Sequence, residues 1–253
     1  MELRYEYKYL VPDFRENDLR KVLMPYLDFD KYAKDRENNE YTVRSIYFDT
    51  PDFKFYHDKV EGLAFRKKVR LRGYNQVNCE NPVFLETKNK FKEPLHKTRA
   101  KVEFENTLES FVGGNIPRII QNVTKNQNEA NSFIYQMMAK NLRPVILVIY
   151  ERIPFTERLE TLNRFRVTFD KNLRSSCFPK INDLYEEVNI KRSLAGYFIL
   201  EVKFNQYFPT WMKSIVAAFG LKRQSASKYV ITMDEHQIVT NYNRYQVLAK
   251  KFI

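Results

Sequence analysis

Val69-Arg70-Leu71-Arg72 places two arginines on one face of an extended strand and two aliphatic side chains on the other. A similar alternation, with Arg, Lys or Glu at most of the polar positions, recurs in residues 4–9, 84–88, 164–170 and 198–204. An ordinary half-exposed strand has a more mixed polar face. The pattern therefore predicts antiparallel strands with buried apolar faces and charged faces that line a common space.

Two arrangements satisfy this pattern. A flat antiparallel sheet would expose its charged face to water, whereas a closed barrel would turn the apolar faces outward and the charged faces into a lumen. A lumen of like charges is costly to desolvate without a neutralising partner, and a polyanionic ligand would be that partner. The sequence therefore predicts an α+β fold, a closed antiparallel β-barrel with helices packed outside.

The overall charge also indicates a polyanionic partner. The chain has 253 residues, with 43 Lys plus Arg against 31 Asp plus Glu, and a formal net charge of +12. This favours nucleic acid, anionic lipid or phosphate as a ligand. Cys79 and Cys177 belong to no metal-binding motif, which fits a reducing compartment. With neither a signal peptide nor roughly 18 consecutive apolar residues, we expect a single cytoplasmic domain over residues 1–253.

Three stretches have helical periodicity. The first covers residues 13–27, with Asp13 as its N-cap and Phe14 in its apolar stripe. The others cover residues 128–140 and 210–219. Such stripes most often pack against a core, and we expect these helices to cover the outside of the sheet.

The mixture of arginine and lysine on the charged faces suits a linear phosphate chain. Arginine binds phosphate oxygens in pairs, and lysine supplies a mobile point charge. Glu6, Glu86 and Glu201 each stand two residues before a lysine on the same strand face. They are either salt-bridge partners, which the spacing alone favours, or hard oxygen ligands for Mg²⁺ or Mn²⁺.

Eight short motifs occur in an order that resembles one protein family. They are residues 4–9, 45–50, the pair Arg70/Arg72, and residues 84–88, 150–152, 165–170, 200–203 and 225–229. Together they resemble the vacuolar transporter chaperone (VTC) type polyphosphate polymerase domain, a branch of the triphosphate tunnel metalloenzymes. The ordered set is far more specific than any single motif.

The resemblance implies an eight-stranded antiparallel tunnel barrel that transfers the γ-phosphoryl group of ATP to a growing polyphosphate chain and releases ADP. The catalytic phosphate-binding residues that it implies are Lys8, Arg70, Arg72, Lys88, Arg152, Arg166 and Lys228. The further substrate contacts are Lys97, Arg99, Tyr150, Lys203 and Ser227. The ligand expected for Mn²⁺ or Mg²⁺ is Glu201, with Glu86 and Glu6 as further candidates.

The sequence departs from the wider superfamily at its start. Arg4 stands where many members have the first glutamate of a Glu-x-Glu-x-Lys motif, which leaves the number of metal ions open. Eukaryotic members of the family attach this domain to a sensor domain and membrane helices, which this sequence does not contain. We therefore expect any export of product to need a separate membrane protein partner, with the domain at the inner face of that membrane.

Other functions stay open on sequence alone. The same barrel in other tunnel enzymes hydrolyses tripolyphosphate, and a non-catalytic module would bind polyphosphate without reacting it. The basic exterior also permits nucleic-acid binding, although cations that alternate with carboxylates on strand faces make a specific nucleic-acid partner unexpected. Lys67 and Lys68 are consistent with simple solvated side chains, and the tail after residue 234 with a helix at one tunnel mouth.

Overall fold

The computed structural model describes residues 4–76, 82–91, 95–123, 125–159 and 161–240. In this part of the chain the strands are β1 (Tyr5–Pro12), β2 (Leu27–Phe29), β3 (Tyr41–Asp49), β4 (Phe65–Tyr74), β5 (Pro82–Phe91), β6 (Leu95–Glu103), β7 (Arg143–Glu157), β8 (Arg166–Cys177), β9 (Lys191–Arg192) and β10 (Tyr197–Phe204). The α-helices are α1 (Glu16–Leu23), α2 (Lys54–Val60), α3 (Phe104–Val112), α4 (Gln127–Ala139), α5 (Thr210–Ala218) and α6 (Lys228–Glu235).

The long strands form one antiparallel sheet. Their hydrogen-bonded order is β1-β10-β8-β7-β3-β4-β5-β6, with the short strands β2 and β9 paired to β7 and β8. The predicted antiparallel sheet with helices is confirmed. Because the ladders between described residues leave β1 and β6 at the two ends of this path, closure of the sheet into a barrel stays a prediction.

The sheet curls around the start of α6. Lys228 forms ion pairs with Asp170 of β8 and Glu201 of β10, whereas the adjacent Ser227 accepts a hydrogen bond from Lys68 of β4. In the strand order, β8, β7 and β3 separate β10 from β4. Strands that are distant within the sheet therefore approach one another at this helix.

Helices cover the apolar side of the sheet in two places. Side chains of β3–β7, such as Leu71 and Leu85, pack with Phe133 of α4 in one core. Side chains of β1, β8 and β10 pack with Leu19 of α1 and Met212 of α5 in a second core. This burial follows from the period-two alternation, which sends every second side chain outward under a helix. The predicted outer helices are confirmed for these elements.

The helix α6 lies on the opposite face of the sheet. Tyr229 and Met233 pack with Tyr47, Val148 and Tyr150 in a third core, and these strand residues alternate with those that face the outer helices. The rings of Tyr229 and Tyr47 stack with centroids 5.1 Å apart. The charged face of the sheet thus receives one helix of its own.

The predicted helices agree with α4 and α5 but differ at the first one. Asp13 begins a short 3-10 turn rather than capping α1, whose N-cap is Arg15. The expectation that Phe14 is buried is wrong, since its side chain is 82% exposed. The turn rotates this side chain away from the stripe that α1 presents to the sheet.

Among the described residues, no helix is both long enough and apolar enough to cross a lipid bilayer. The helix α6 ends at residue 235 and is followed by a short turn and a second helical segment that reaches residue 240. The part of the tail beyond residue 240, which contains Tyr242 and Leu248 of the expected terminal helix, lies outside the described residues.

Candidate functional site

Antiparallel register aligns the charged residues in rows across the sheet. Arg70 lies opposite Glu86, which in turn lies opposite Arg99. Towards the other end of the strand order, and on the same face, Lys8 of β1 lies opposite Glu201 of β10. The rows on this face, which we call the charged face, are Lys68-Lys88-Lys97, Arg70-Glu86-Arg99, Glu6-Lys203-Arg166 and Lys8-Glu201-Thr168. The period-two prediction therefore places the charged residues of six strands on one face.

Glu201 is the centre of the first group of charges, the Glu201 cluster. Its Oε1 lies 2.7 Å from Lys228 Nζ and 3.1 Å from Lys8 Nζ. Its Oε2 lies 2.7 Å from Lys203 Nζ and 3.4 Å from Arg152 Nη2. The carboxylate is almost fully buried. Although burial raises its pKa, the four surrounding cations lower it well below the ordinary value, so that Glu201 is ionised.

Asp170 belongs to the same cluster, and sequence reasoning did not select it. Its two carboxylate oxygens accept hydrogen bonds of 2.6 and 2.7 Å from Arg152, and it also pairs with Lys228. The side chain is buried. The signal was available, because Asp170 stands four residues after Arg166 on the same strand face.

Glu86 is the centre of the second group, the Glu86 cluster. One carboxylate oxygen lies 2.6 Å from Arg70 Nη2. The other lies 2.5 Å from Lys97 Nζ and 3.3 Å from Arg99 Nε, and Arg72 stands further off at 3.9 Å. Burial raises the pKa of Glu86, but these cations more than offset that effect and hold it far below its ordinary range. The carboxylate is a fixed negative charge inside a cationic group.

Lysines near the Glu86 cluster lose part of their basicity. Burial is the main cause, and it lowers the pKa of Lys88 to about 7 and that of Lys97 to about 8. Nearby Arg70 lowers both further, and carboxylates oppose the shift. A bound anion would favour the charged form of both lysines.

The remaining sequence-predicted residues lie around these clusters. Tyr150 is buried, with Lys228 Nζ 4.7 Å from the centre of its ring. Ser227 caps α6 by accepting a hydrogen bond from the amide of Val230. Arg166 stands apart, since it pairs with Asp30 at 3.1 Å and keeps 30% of its side chain exposed. Arg166 therefore lies at the margin of the charged face.

Two more residues on this face escaped sequence reasoning. Tyr47 accepts a hydrogen bond of 2.8 Å from Arg70, and Lys68 donates one of 2.7 Å to Ser227. Tyrosines are too frequent in this chain for the sequence to single out Tyr47. For Lys68, the sequence was consistent with an ordinary solvated side chain. Both become visible only when the register and the position of α6 are known.

The carboxylates fit a divalent cation only in part. Among the described residues, no group of three or more His, Cys, Asp or Glu side chains could hold a metal ion. Glu201 and Glu6 nevertheless both contact the ammonium of Lys8, at 3.1 and 3.0 Å. Mg²⁺ is usually bound through one or two carboxylates plus the phosphates of a substrate. The donor set thus fits a metal ion whose other ligands come from phosphate and water.

A buried hydroxyl near Glu201 also lacks a partner. Thr168 lies opposite Glu201 on the neighbouring strand, is fully buried, and its Oγ1 has no hydrogen-bond partner among the described residues. A buried polar atom without a partner costs free energy unless a water or ligand satisfies it. It marks the Glu201 cluster as a place where a polar ligand would bind.

An antiparallel sheet with buried cations in excess over carboxylates on one face is suited to a polyanionic ligand. A comparison with protein families identifies the family of the chain. Residues 3–236 match the family model of the VTC domain, and the chain belongs to this family. The family resemblance of the sequence motifs is thereby confirmed.

Two curated relatives are subunits of one kind of complex. The chain is 22% identical to vacuolar transporter chaperone complex subunit 4 of Schizosaccharomyces pombe, over 85% of this chain and 34% of the relative. It is 26% identical to subunit 2 of that complex from Saccharomyces cerevisiae, over 52% of this chain and 18% of the relative. The chain therefore spans about a third or less of the length of these relatives.

Solved structures show more distant likenesses. One is a Hippeastrum protein described as an adenylyl cyclase with a dominant triphosphatase activity, with a TM-score of 0.45 and 12% identity over 93% of this chain and 96% of the other. Another is the Mimivirus capping enzyme triphosphatase, with a TM-score of 0.34 and 8% identity over 85% of this chain and 88% of the other. Both scores are too low to define a shared fold.

Proposed function

We propose that this chain is a metal-dependent polyphosphate polymerase that transfers the γ-phosphoryl group of ATP to a growing polyphosphate chain on its charged face. The observation that carries the proposal is the Glu201 cluster, where one buried carboxylate is surrounded by four cations from four different elements. Membership of the VTC family supports the substrate class. The curved sheet, closed into a tunnel in our proposal, would hold the phosphate chain extended.

The cations supply binding and charge stabilisation. Arg70, Arg72 and Lys97 surround Glu86 with more positive charge than it neutralises. At Glu201 and Asp170 the excess comes from four cations, which are Lys8, Arg152, Lys203 and Lys228. Oriented cations in a partly desolvated site stabilise the charge on a phosphoryl group in transfer. These residues would hold the non-bridging oxygens of the nucleotide and of the acceptor chain.

The chemical step needs no protein nucleophile. An oxygen of the terminal phosphate of the acceptor forms a bond to the γ-phosphorus of ATP. The bond from this phosphorus to the β,γ-bridging oxygen breaks, and ADP leaves with the electron pair. The attacking oxygen is already ionised near neutral pH, so that positioning and electrostatic stabilisation account for catalysis. Lys228 and Arg152 would align the two phosphates.

Glu201, with Glu6 beside it, would hold Mn²⁺ or Mg²⁺. When bound, such an ion neutralises phosphate charge and fixes the geometry of the triphosphate. The chain's own residues determine where this occurs, because Lys8, Lys203 and Lys228 hold the carboxylate of Glu201 in one orientation. Glu86, enclosed by arginines and lysine, acts instead as a counter-ion in this proposal.

The proposed partners and location are based on the names of the relatives. Their names describe subunits of a vacuolar transporter chaperone complex, so we propose that this chain also works with a separate membrane protein partner, at the cytoplasmic face of a membrane. Its other partners would be ATP and inorganic polyphosphate. A specific nucleic-acid partner is not part of the proposal, since buried carboxylates separate the cations.

A product assay tests the proposed function. Incubation with ATP and Mn²⁺ should give long phosphate chains, with one ADP released for each phosphate unit added. Glu201→Ala and Arg70→Ala should each lower the rate about a hundredfold, whereas Lys67→Ala, a change on the opposite strand face, should leave it unchanged. Orthophosphate from tripolyphosphate without polymer would instead identify a hydrolase. Near-normal turnover in both Glu201→Ala and Arg70→Ala would contradict the proposal.

A further inference from the structure

Three lysines stand in one row of the sheet. Lys68 of β4 lies directly opposite Lys88 of β5, and Lys88 lies opposite Lys97 of β6. Like charges directly opposite one another destabilise an antiparallel sheet. The next row has a carboxylate, Glu86, at its centre. The lysine row contains no carboxylate. Of its three lysines, only Lys97 forms an ion pair with a carboxylate in the described part of the chain.

The surroundings of Lys68 distinguish it from a solvated lysine. Its ammonium donates a hydrogen bond of 2.7 Å to Ser227 and lies 5.9 Å from the centre of the Tyr229 ring. The neighbouring Lys67 points to the other face of β4, where it donates to Gln136 of α4. Among the charged groups that act on Lys68, the cations Lys8 and Arg70 outweigh the carboxylate of Glu6. Its pKa is lowered, chiefly by burial.

The two charge groups suit different parts of a phosphate chain. In the Glu201 cluster two carboxylates contact one ammonium, which suits phosphates that carry a divalent cation. In the lysine row carboxylates offset the positive charge only in part, and the excess charge repels a metal ion and attracts a bare anion. Ser227 links the two, because its neighbour Lys228 belongs to the Glu201 cluster.

We propose that Lys68 is a phosphate-binding residue and that the row Lys68-Lys88-Lys97 forms a subsite for phosphates that carry no metal ion. This inference rests on the proposed function for the chemical class of the ligand, a condensed phosphate, and for its role as the acceptor chain. In the proposed reaction the metal ion would be held with the triphosphate of ATP at Glu201, which leaves the acceptor chain as the substrate without one. The subsite would therefore hold that chain next to the start of α6.

Calorimetric titration with sodium tripolyphosphate in the presence of a chelator tests this subsite without turnover. Lys68→Met should weaken binding about tenfold or more, since it removes a charge-assisted hydrogen bond. Lys68→Arg should retain most of the affinity. Lys67→Met is the matched control, because it removes the same charge from the adjacent position on the opposite face, and it should change affinity by less than about twofold.

Thermal unfolding of the ligand-free proteins separates this role from a structural one. Because Lys68→Met relieves repulsion within the lysine row, it should unfold at the same temperature as wild type or higher. A structural lysine would lower that temperature on removal. Three results would overturn the subsite: unchanged tripolyphosphate binding by Lys68→Met, an equal loss in Lys67→Met, or a Lys68→Met protein that unfolds well below wild type. Tripolyphosphate binding without ATP-dependent polymer would contradict the proposed function alone.

Discussion

Replacement of Glu86 by glutamine tests whether its buried charge holds the cations of β4 and β6 in place. The change keeps the shape of the side chain and removes the charge. Loss of one partner of a buried ion pair costs about 3–5 kcal/mol. Lys97 and Arg99 keep 34% and 37% of their side chains exposed, and solvent screens them. We therefore expect the lower value, about 3 kcal/mol.

Chemical and thermal denaturation measure this loss. For a chain of this size, about 3 kcal/mol corresponds to a drop of about 6–12 °C in the melting temperature. Glu61→Gln, at an exposed position, is the matched control and should change stability by less than about 0.5 kcal/mol. Tripolyphosphate should restore stability to Glu86→Gln by mass action, by about 2.7 kcal/mol at a hundredfold excess over the dissociation constant.

The pH dependence gives a second check on the same residue. The pKa of Glu86 is lower in the folded protein than in the unfolded chain, so its ionised form adds stability at pH values above the unfolded pKa, about 4.3. This contribution is lost as the pH falls towards the folded pKa. The difference between wild type and Glu86→Gln should thus be full at neutral pH and shrink below about pH 4. Equal stability of the two proteins at pH 7 would refute the counter-ion role.

Two further substitutions probe the site and the sheet. Asp170→Asn should lower the free energy of unfolding by about 3 kcal/mol, because it leaves Arg152 and Lys228 with one buried carboxylate fewer; an unchanged urea midpoint would contradict this. Gly73→Ala should cost about 1–3 kcal/mol, since the added Cβ would lie 2.5 Å from the hydroxyl oxygen of Tyr185; a melting temperature equal to that of wild type would show that Tyr185 moves aside freely.

The sequence predicted the sheet because charged and apolar residues alternate strictly in its central strands. Each charged residue of residues 69–72 and 198–204 is flanked by an apolar residue that must be buried, and one register satisfies all of them. The rows that pair Arg70 with Glu86 and Lys8 with Glu201 follow from this register. The outer helices α4 and α5 follow from apolar stripes of the same kind.

Other features depend on contacts between distant parts of the chain. The period of α6 is helical, but nothing local indicates that Lys228 and Tyr229 enter the charged face rather than cover the outside. The roles of Asp170 and Lys68 follow from this placement. For Phe14 the sequence predicted a buried position that the structure does not show. A regular helix would place this side chain in the apolar stripe, but the 3-10 turn before α1 moves it out of that stripe.

A crystal structure with bound tripolyphosphate tests the central claim most directly, namely that the charged strands face a single phosphate site. We predict one phosphate chain that contacts both Arg70 of β4 and Lys228 of α6, with Glu86 and Glu201 on either side of it. Tripolyphosphate on the outer surface, or separate anions at Arg70 and Lys228 with bulk water between them, would contradict the account.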